Sequence, residues 1–163
     1  MEKRKSNRIK DYDYSQYGMY FITICSKNME QIFGEIFVGD DGNRPAYCKL
    51  SRIGLLIKKE IEKIRIIRPE CEIEKYIIMP NHIHIIVFLN GGEGRDDCHR
   101  PLQKSIPNMV QGLKGAVTRE LGYSPWQRSY YDHVIRNDKD YVRIWEYIEN
   151  NPLQWNLDKF YNE

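Results

Sequence analysis

The sequence predicts an α+β fold in which helices cover a mostly antiparallel sheet. Two kinds of hydrophobic pattern alternate along its 163 residues. Short runs rich in β-branched residues favour strands, and longer segments with apolar residues at three- and four-residue steps favour helices. The order of the main elements is strand, helix, strand, strand, helix, strand, helix. The first six have the order of a ferredoxin-like split βαβ unit, and the seventh is an additional C-terminal helix.

The first half of the chain contains the first strand, a small hairpin and the first helix. The predicted segments are a strand at 19–26, a short strand at 31–38, a turn at 39–43 and a weaker strand at 45–49. Ser51 then opens a helix that ends before Pro69. The apolar face of this helix consists of Ile53, Leu56, Ile57, Ile61, Ile64 and Ile67.

The second half supplies the remaining strands and two further helices. Predicted strands lie at 71–79, 82–89 and 126–136, and a polar loop lies at 90–104. One helix begins near Ile106 and ends near Leu121, before Gly122. Asn137 caps the last helix, which runs to about Asn150 and ends before Pro152. On the last strand, period two predicts one face formed by Tyr131, His133 and Ile135.

The length suits one domain, residues 1–163, with a basic arm at 1–17 and a tail at 153–163. We expect the tail to pack onto the core through Trp155, Phe160 and Tyr161. No apolar run approaches the roughly 20 residues of a membrane span, and no apolar signal segment follows the basic N-terminus. We therefore expect a cytoplasmic protein with no membrane partner. The cysteines form no CxxC pair, so we expect free thiols at Cys25, Cys48, Cys71 and Cys98.

Two histidines form the most informative pair in the sequence. His82 and His84 lie at the start of the strand 82–89, and residues two apart on a strand face the same side. Two neighbouring imidazoles make a partial metal site. The alternative is a polar pair on the wet face of a half-exposed sheet.

A second group of polar residues lies in the last helix. Tyr147 and Asn151 are four residues apart and share a helix face. If this face meets the histidines, Asn151 offers an oxygen as a third ligand, and the set suits Mg²⁺ or Mn²⁺, with imidazole favouring Mn²⁺. A metal that polarises a phosphate would let the weakly nucleophilic Tyr147 hydroxyl attack it. Alternatively, Tyr147 is a core-edge tyrosine and Asn151 a helix cap.

These motifs resemble those of the single-tyrosine HUH transposases of insertion sequences, most closely the transposases associated with repetitive extragenic palindromes. The most specific segments are residues 79–84 (MPNHIH) and 147–152 (YIENNP). The resemblance extends over nearly the whole chain, including residues 13–23, 32–36, 112–119 and 126–136.

The resemblance implies a ferredoxin-like HUH fold, a divalent metal, and single-stranded or hairpin DNA as the partner. His82 and His84 match the metal-binding histidines, and Asn151 matches a third ligand that some relatives supply as Gln or Glu. Tyr147 matches the nucleophile, which attacks a DNA phosphodiester and leaves a 5′-phosphotyrosine link and a free 3′-hydroxyl. That hydroxyl can later attack the link and rejoin strands. Tyr141 is the second candidate nucleophile, and both monomer and homodimer are compatible with the resemblance.

Basic residues are the candidate DNA contacts, because Lys and Arg neutralise phosphates. The candidates are Lys3, Arg4, Lys5 and Arg8 in the arm, and Lys114 and Arg119 in the second helix. His133 supports the metal-binding histidines, supports the substrate or packs in the core. Two other functions are compatible with the sequence: a non-catalytic module that binds single-stranded nucleic acid, and a metallophosphoesterase that uses water.

We predict that deletion of residues 1–10 weakens DNA binding and flattens its salt dependence. Binding releases about one counterion for each phosphate that the protein neutralises. A protein with fewer phosphate contacts therefore releases fewer counterions, and the slope of log affinity against log salt should become less steep. Titration of a single-stranded oligonucleotide at several salt concentrations measures the slope. An unchanged slope would mean that the arm does not contact DNA.

Overall fold

A computed structural model of the chain describes residues 17–38, 45–90 and 106–162. The predicted turn at 39–43, most of the arm and all of the predicted loop except Asn90 lie outside the described residues. The same holds for Cys98 and for the four basic residues predicted to bind DNA from the arm, Lys3, Arg4, Lys5 and Arg8.

The described residues form six strands and three helices, and they confirm the predicted fold class. In chain order the elements are β1 (Gly18–Cys25), β2 (Gly34–Phe37), β3 (Tyr47–Leu50), α1 (Arg52–Ile67), β4 (Cys71–Ile78), β5 (His82–Leu89), α2 (Ile106–Leu121), β6 (Tyr131–Ile135) and α3 (Asp138–Asn150). Short 3₁₀ turns occur at Lys27–Met29 and Trp155–Leu157. None of these helices combines the length and the apolar character needed to cross a membrane.

The central sheet has the strand order β4-β5-β1-β6, and every neighbouring pair is antiparallel. β5 lies between β4 and β1, and β1 lies between β5 and β6, so two strand–helix–strand units interleave. β2 and β3 form a separate hairpin. A hydrogen bond from the Phe33 amide to the Pro80 carbonyl holds the hairpin beside the main sheet, and one from the Ser51 amide to the Phe33 carbonyl extends the pairing within the hairpin.

Helices cover both faces of the sheet. α1 and α2 bury their apolar stripes on one face, against the β1 side chains Tyr20, Ile22 and Ile24. α3 packs on the opposite face through Ile144 and Ile148. Because β5 is covered on both sides, all but one of its eight residues are buried. Ile86, which packs with α3, lies on the same side of β5 as His82 and His84. The two histidines therefore lie on the face of the sheet that α3 covers.

The predicted helix caps are present. The Ser51 hydroxyl accepts a hydrogen bond from the Gly54 amide at 3.1 Å, and the Asn137 side chain accepts one from the Asp140 amide at 2.9 Å. These contacts satisfy amide groups that a helix leaves unpaired at its first turn.

The last strand is shorter than predicted, because residues 126–130 do not join the sheet ladder. Trp126 makes only an isolated bridge to Ser26. The Lys114 ammonium donates to the carbonyl oxygens of Gln127, at 2.7 Å, and Ser129, at 3.2 Å. Apart from the bridge to Ser26 and the hydrogen bond from the Gln127 amide to the Cys25 carbonyl at 2.9 Å, the residues before β6 bond to a helix side chain and do not extend the strand.

We predict that Gly54→Ala destabilises the protein by about 1–3 kcal/mol or more. A Cβ at this position would overlap the carbonyl oxygen of Phe33, which is fixed by its hydrogen bond from the Ser51 amide. Gly115→Ala, in the middle of α2, is the matched control, because its Cβ would meet only the flexible end of Arg119 at 3.5 Å. The control should gain about 0.5–1 kcal/mol from the better helix former. Urea unfolding measures both, and equal stability of the two variants would contradict the prediction.

Candidate metal centre and tyrosine site

His82 and His84 form a closely spaced, fully buried pair. Both have no exposed surface, and their Nε2 atoms lie 3.0 Å apart. The antiparallel register places His82 opposite Cys25 and His84 opposite Thr23 on β1. The structure thus has the same-face orientation that the strand period predicts, and it excludes the alternative of a polar pair on a wet sheet face.

Hydrogen bonds fix the outer nitrogen atom of each imidazole. His82 Nδ1 lies 2.8 Å from the side-chain oxygen of Asn81, which is an acceptor because the Asn81 amide donates to the Phe160 carbonyl. His82 therefore carries its proton on Nδ1, and its Nε2 lone pair points toward His84. His84 Nδ1 lies 2.8 Å from the Thr23 hydroxyl. Partners of this kind orient histidines that bind metals.

The environment keeps both imidazoles neutral, which is the form that binds a metal. Burial lowers the pKa of His82 to about 4. Burial, and secondarily the neighbouring His82, lower the pKa of His84 well below its ordinary value. The unfolded chain would protonate both near their ordinary pKa, so the pair costs stability as the pH falls below about 6.5.

Asp158 is a candidate metal ligand that the sequence analysis missed. One ligand atom from each of His82, His84 and Asp158 lies within 4.8 Å of the others. The Asp158 carboxylate follows the 3₁₀ turn Trp155–Leu157, in the tail that was predicted to pack on the core. Its position as a lone carboxylate between the aromatic residues of that tail is the only sequence feature that could have identified it.

The predicted third ligand, Asn151, is adjacent to this carboxylate. The Asn151 amide nitrogen donates to Asp158 Oδ2 at 2.5 Å. Its Oδ1 atom is buried and has no hydrogen-bond partner among the described residues. A buried acceptor without a partner costs stability unless something else binds it. Two oxygen donors, from Asn151 and Asp158, are therefore available beside the two imidazoles.

Tyr147 lies beside the histidine pair. Its ring centroid is 5.2 Å from that of His84, and its ring meets Phe21 edge-on at 6.2 Å. Its hydroxyl donates to Asp158 Oδ2 at 2.9 Å. Burial, followed by the charge of Asp158, raises the pKa of Tyr147 well above its ordinary value. Tyr141, the second candidate nucleophile, packs instead against Trp145 at 5.7 Å.

Residues 155–162, here named the C-terminal cover, close the site. The Phe160 ring lies 4.6 Å from the His82 ring and 5.9 Å from the His84 ring, and the Trp155 ring lies 5.9 Å from His82. The Asn81 amide donates to the Phe160 carbonyl at 2.7 Å and to the Asn162 side chain at 3.0 Å. The expected packing of the tail is therefore present, and it is packing on the site itself.

The other predicted site residues lie apart from this cluster. His133 is half-exposed and pairs with Asp140 at 2.6 Å, so it neither holds the histidine pair nor packs in the core. Thr23 and Asn81 hold the buried pair instead. Lys114 is directed at the carbonyls before β6, and burial lowers its pKa to about 8. Arg119 is exposed in the last turn of α2.

The donor set fits a divalent metal. Neutral imidazoles, a carboxylate and an amide oxygen are ligands that first-row divalent metals accept. Two nitrogen donors favour Mn²⁺ over Mg²⁺, which prefers oxygen ligands throughout. His82, His84 and an oxygen of Asn151 or Asp158 would hold the ion.

Comparison with known proteins gives relatives but no matching family model. The chain is 37% identical over 177 residues to an uncharacterised protein of Haemophilus influenzae, covering 97% of this chain and 93% of the relative. It is 32% identical over 102 residues to the REP-associated tyrosine transposase of Escherichia coli, covering 61% of this chain and 54% of the relative. The fold is similar to that of a REP-associated tyrosine transposase solved bound to a REP hairpin, with a TM-score of 0.64, 22% identity, and coverage of 93% of this chain and 77% of that one.

We predict that the protein binds one Mn²⁺ and that His84→Ala abolishes binding. His84 is one of two fixed nitrogen donors, and removing it leaves too few ligands to replace the hydration shell of the ion. His133→Ala is the matched control, since His133 pairs with Asp140 outside the cluster. Titration calorimetry measures the affinity, and equal heats for His84→Ala and the unsubstituted protein would contradict the assignment.

The same titration separates the two oxygen donors. Asp158→Asn removes the charge of the carboxylate, and Asn151→Ala removes the unpartnered oxygen. The substitution that weakens Mn²⁺ binding more identifies the third ligand.

Proposed function

We propose that this chain, which is similar to REP-associated tyrosine transposases, nicks and rejoins single-stranded DNA through a covalent phosphotyrosine. The observation that carries the proposal is the convergence of four groups in one buried cluster. The Tyr147 hydroxyl, the two neutral imidazoles and the Asn151 side chain meet around Asp158. A nucleophile and a metal site that share one carboxylate suit an attack on a metal-bound phosphate.

In the proposed reaction, the Tyr147 oxygen attacks a phosphodiester phosphorus. The bond from phosphorus to the 3′ oxygen breaks as the bond to tyrosine forms, and the tyrosine proton ends on the departing 3′ oxygen. The DNA 5′ end is then linked to Tyr147, and the free 3′-hydroxyl can attack this link to rejoin a strand. The phosphotyrosine bond retains the energy of the broken phosphodiester bond, so the rejoining step needs no external energy source.

The chain's own residues position both partners of this reaction. α3 places Tyr147 and Asn151 on one face, and Phe21 fixes the tyrosine ring from the side. Thr23 and Asn81 hold the imidazoles so that their inner nitrogen atoms face the cluster. A divalent metal bound there would polarise the phosphate and stabilise the negative charge that develops on it.

The described arrangement is closed to DNA. Both histidines have no exposed surface, and the Tyr147 hydroxyl is bonded to Asp158 of the C-terminal cover. With its pKa raised, the hydroxyl stays un-ionised and unreactive while the cover is in place. DNA therefore reaches the cluster only when the cover moves away from the histidines.

The substrate we propose is DNA with a hairpin and a single-stranded flank. The related protein of similar fold was solved with a REP hairpin. The basic residues at 1–10, with Lys3, Arg4, Lys5 and Arg8, are the proposed phosphate contacts on this chain, together with the exposed Arg119. Lys114 is a weaker candidate, because its ammonium group already donates to the carbonyl oxygens of residues 127–129.

We predict that Tyr147→Phe abolishes cleavage while folding and DNA binding persist. The substitution keeps the ring that contacts His84 and Phe21 and removes only the hydroxyl. Loss of a nucleophile lowers the rate by many orders of magnitude. A hairpin-bearing single strand incubated with Mn²⁺ and separated in denaturant measures the covalent adduct.

Tyr141→Phe is the matched control and should form the adduct normally, since Tyr141 packs against Trp145. An adduct with Tyr147→Phe would transfer the role to another tyrosine. Cleavage without any adduct in the unsubstituted protein would instead favour a water-using phosphoesterase. Binding without cleavage would favour a non-catalytic module.

A further inference from the structure

The Phe160 ring fills a slot between the histidine pair and β6. Its centroid lies 4.6 Å from that of His82 and 6.1 Å from that of Tyr131. The Lys159 ammonium lies over the same ring at 4.8 Å. Two aromatic surfaces and a cation therefore surround one flat ring that the C-terminal cover brings into the site.

The carboxylate two residues earlier occupies a second defined place. Asp158 Oδ2 accepts hydrogen bonds from the Tyr147 hydroxyl and the Asn151 amide. Under the proposed function, an oxygen of the scissile phosphate must come to this same position beside the Tyr147 oxygen. The cover thus presents an anion at the reaction centre and a flat ring in the adjoining slot.

A nucleotide likewise joins an anion, its phosphate, to a flat ring, its base, through a few bonds. We propose that the Phe160 slot is a nucleobase subsite, and that Tyr131 is the surface on which the base next to the scissile phosphate stacks. The cover occupies this subsite as a nucleotide mimic, with Asp158 in the place of the phosphate and Phe160 in the place of the base. The subsite rests on the proposed function for the identity of the anion.

The position of Tyr131 supports a role in stacking. It lies on β6 in register with Thr23, which is in turn in register with His84, so the three side chains lie in one row on the face that α3 covers in part. Its side chain remains 43% exposed although Phe160 lies against it. An aromatic ring exposed at the edge of a site can stack on a base of any sequence, and such stacking contributes substantially to single-strand binding.

The test is an equilibrium binding experiment on the full chain with Phe160→Ala, which empties the slot. The probe is a synthetic DNA strand with one hairpin and a single-stranded flank, and each flank nucleotide is replaced in turn by an abasic nucleotide. Fluorescence anisotropy in the presence of EDTA measures affinity without reaction. We expect one abasic position to weaken binding by roughly 5- to 100-fold.

Adding Tyr131→Thr should remove the penalty at that position, because the base has lost its stacking partner, whereas Tyr131→Phe should retain it. Threonine keeps the β-propensity of the edge strand, and thermal unfolding checks that each variant is folded. Tyr123→Ala, which removes an exposed tyrosine from the segment after α2, is the matched control and should leave the penalty unchanged.

A penalty that persists in Tyr131→Thr, or a flank with no sensitive position, overturns the proposal. The covalent-adduct assay on the unmodified strand is read separately. An adduct without any stacking penalty refutes the subsite and leaves the proposed function standing. A penalty that depends on Tyr131 without any adduct supports the subsite and refutes the phosphotyrosine reaction.

Discussion

Two neutral imidazoles buried side by side in a central strand are the constraint on which the site depends. Leaving a polar group unpaired in the interior is costly, so each outer nitrogen needs a partner of its own. β1 supplies one through Thr23, and the residue before β5 supplies the other through Asn81. With these nitrogens satisfied, the inner pair is left 3.0 Å apart, facing the cluster that α3 and the C-terminal cover complete.

The same constraint explains why the cover is part of the site. Asn81 uses its oxygen for His82 and its amide for the Phe160 carbonyl, so one side chain connects the orientation of the imidazole to the position of the tail. Asp158 accepts hydrogen bonds from Tyr147, from Asn151 and from the Phe160 amide at 2.7 Å. These three donors fix the position of the carboxylate beside the histidine pair. Movement of the cover would release the Tyr147 hydroxyl and uncover the histidines together.

Burial on both faces makes this site rigid and at the same time inaccessible. Ile83 and Ile85 of β5 pack against the layer formed by α1 and α2, while Ile86 packs against α3. The strand that carries the histidines therefore has no freedom to open. The cover is held by a few side-chain hydrogen bonds and ring contacts, and Tyr161 and Leu157 within it are exposed. Under the proposed function, access to the histidine pair would therefore depend on the cover, while the pair itself remains preorganised on β5.

The sequence by itself determined the elements and the pairs that lie within one element. The period of two places His82 and His84 on one side of β5, and the spacing of four places Tyr147 and Asn151 on one side of α3, because these relations follow from local backbone geometry. Only the tertiary structure decided which partners meet across the chain. Thr23 and His84 are 61 residues apart in sequence, and Asn81 and Phe160 are 79 apart. No local period encodes such contacts, and Asp158 and the cover over the histidines emerge only when the sheet, α3 and the tail come together.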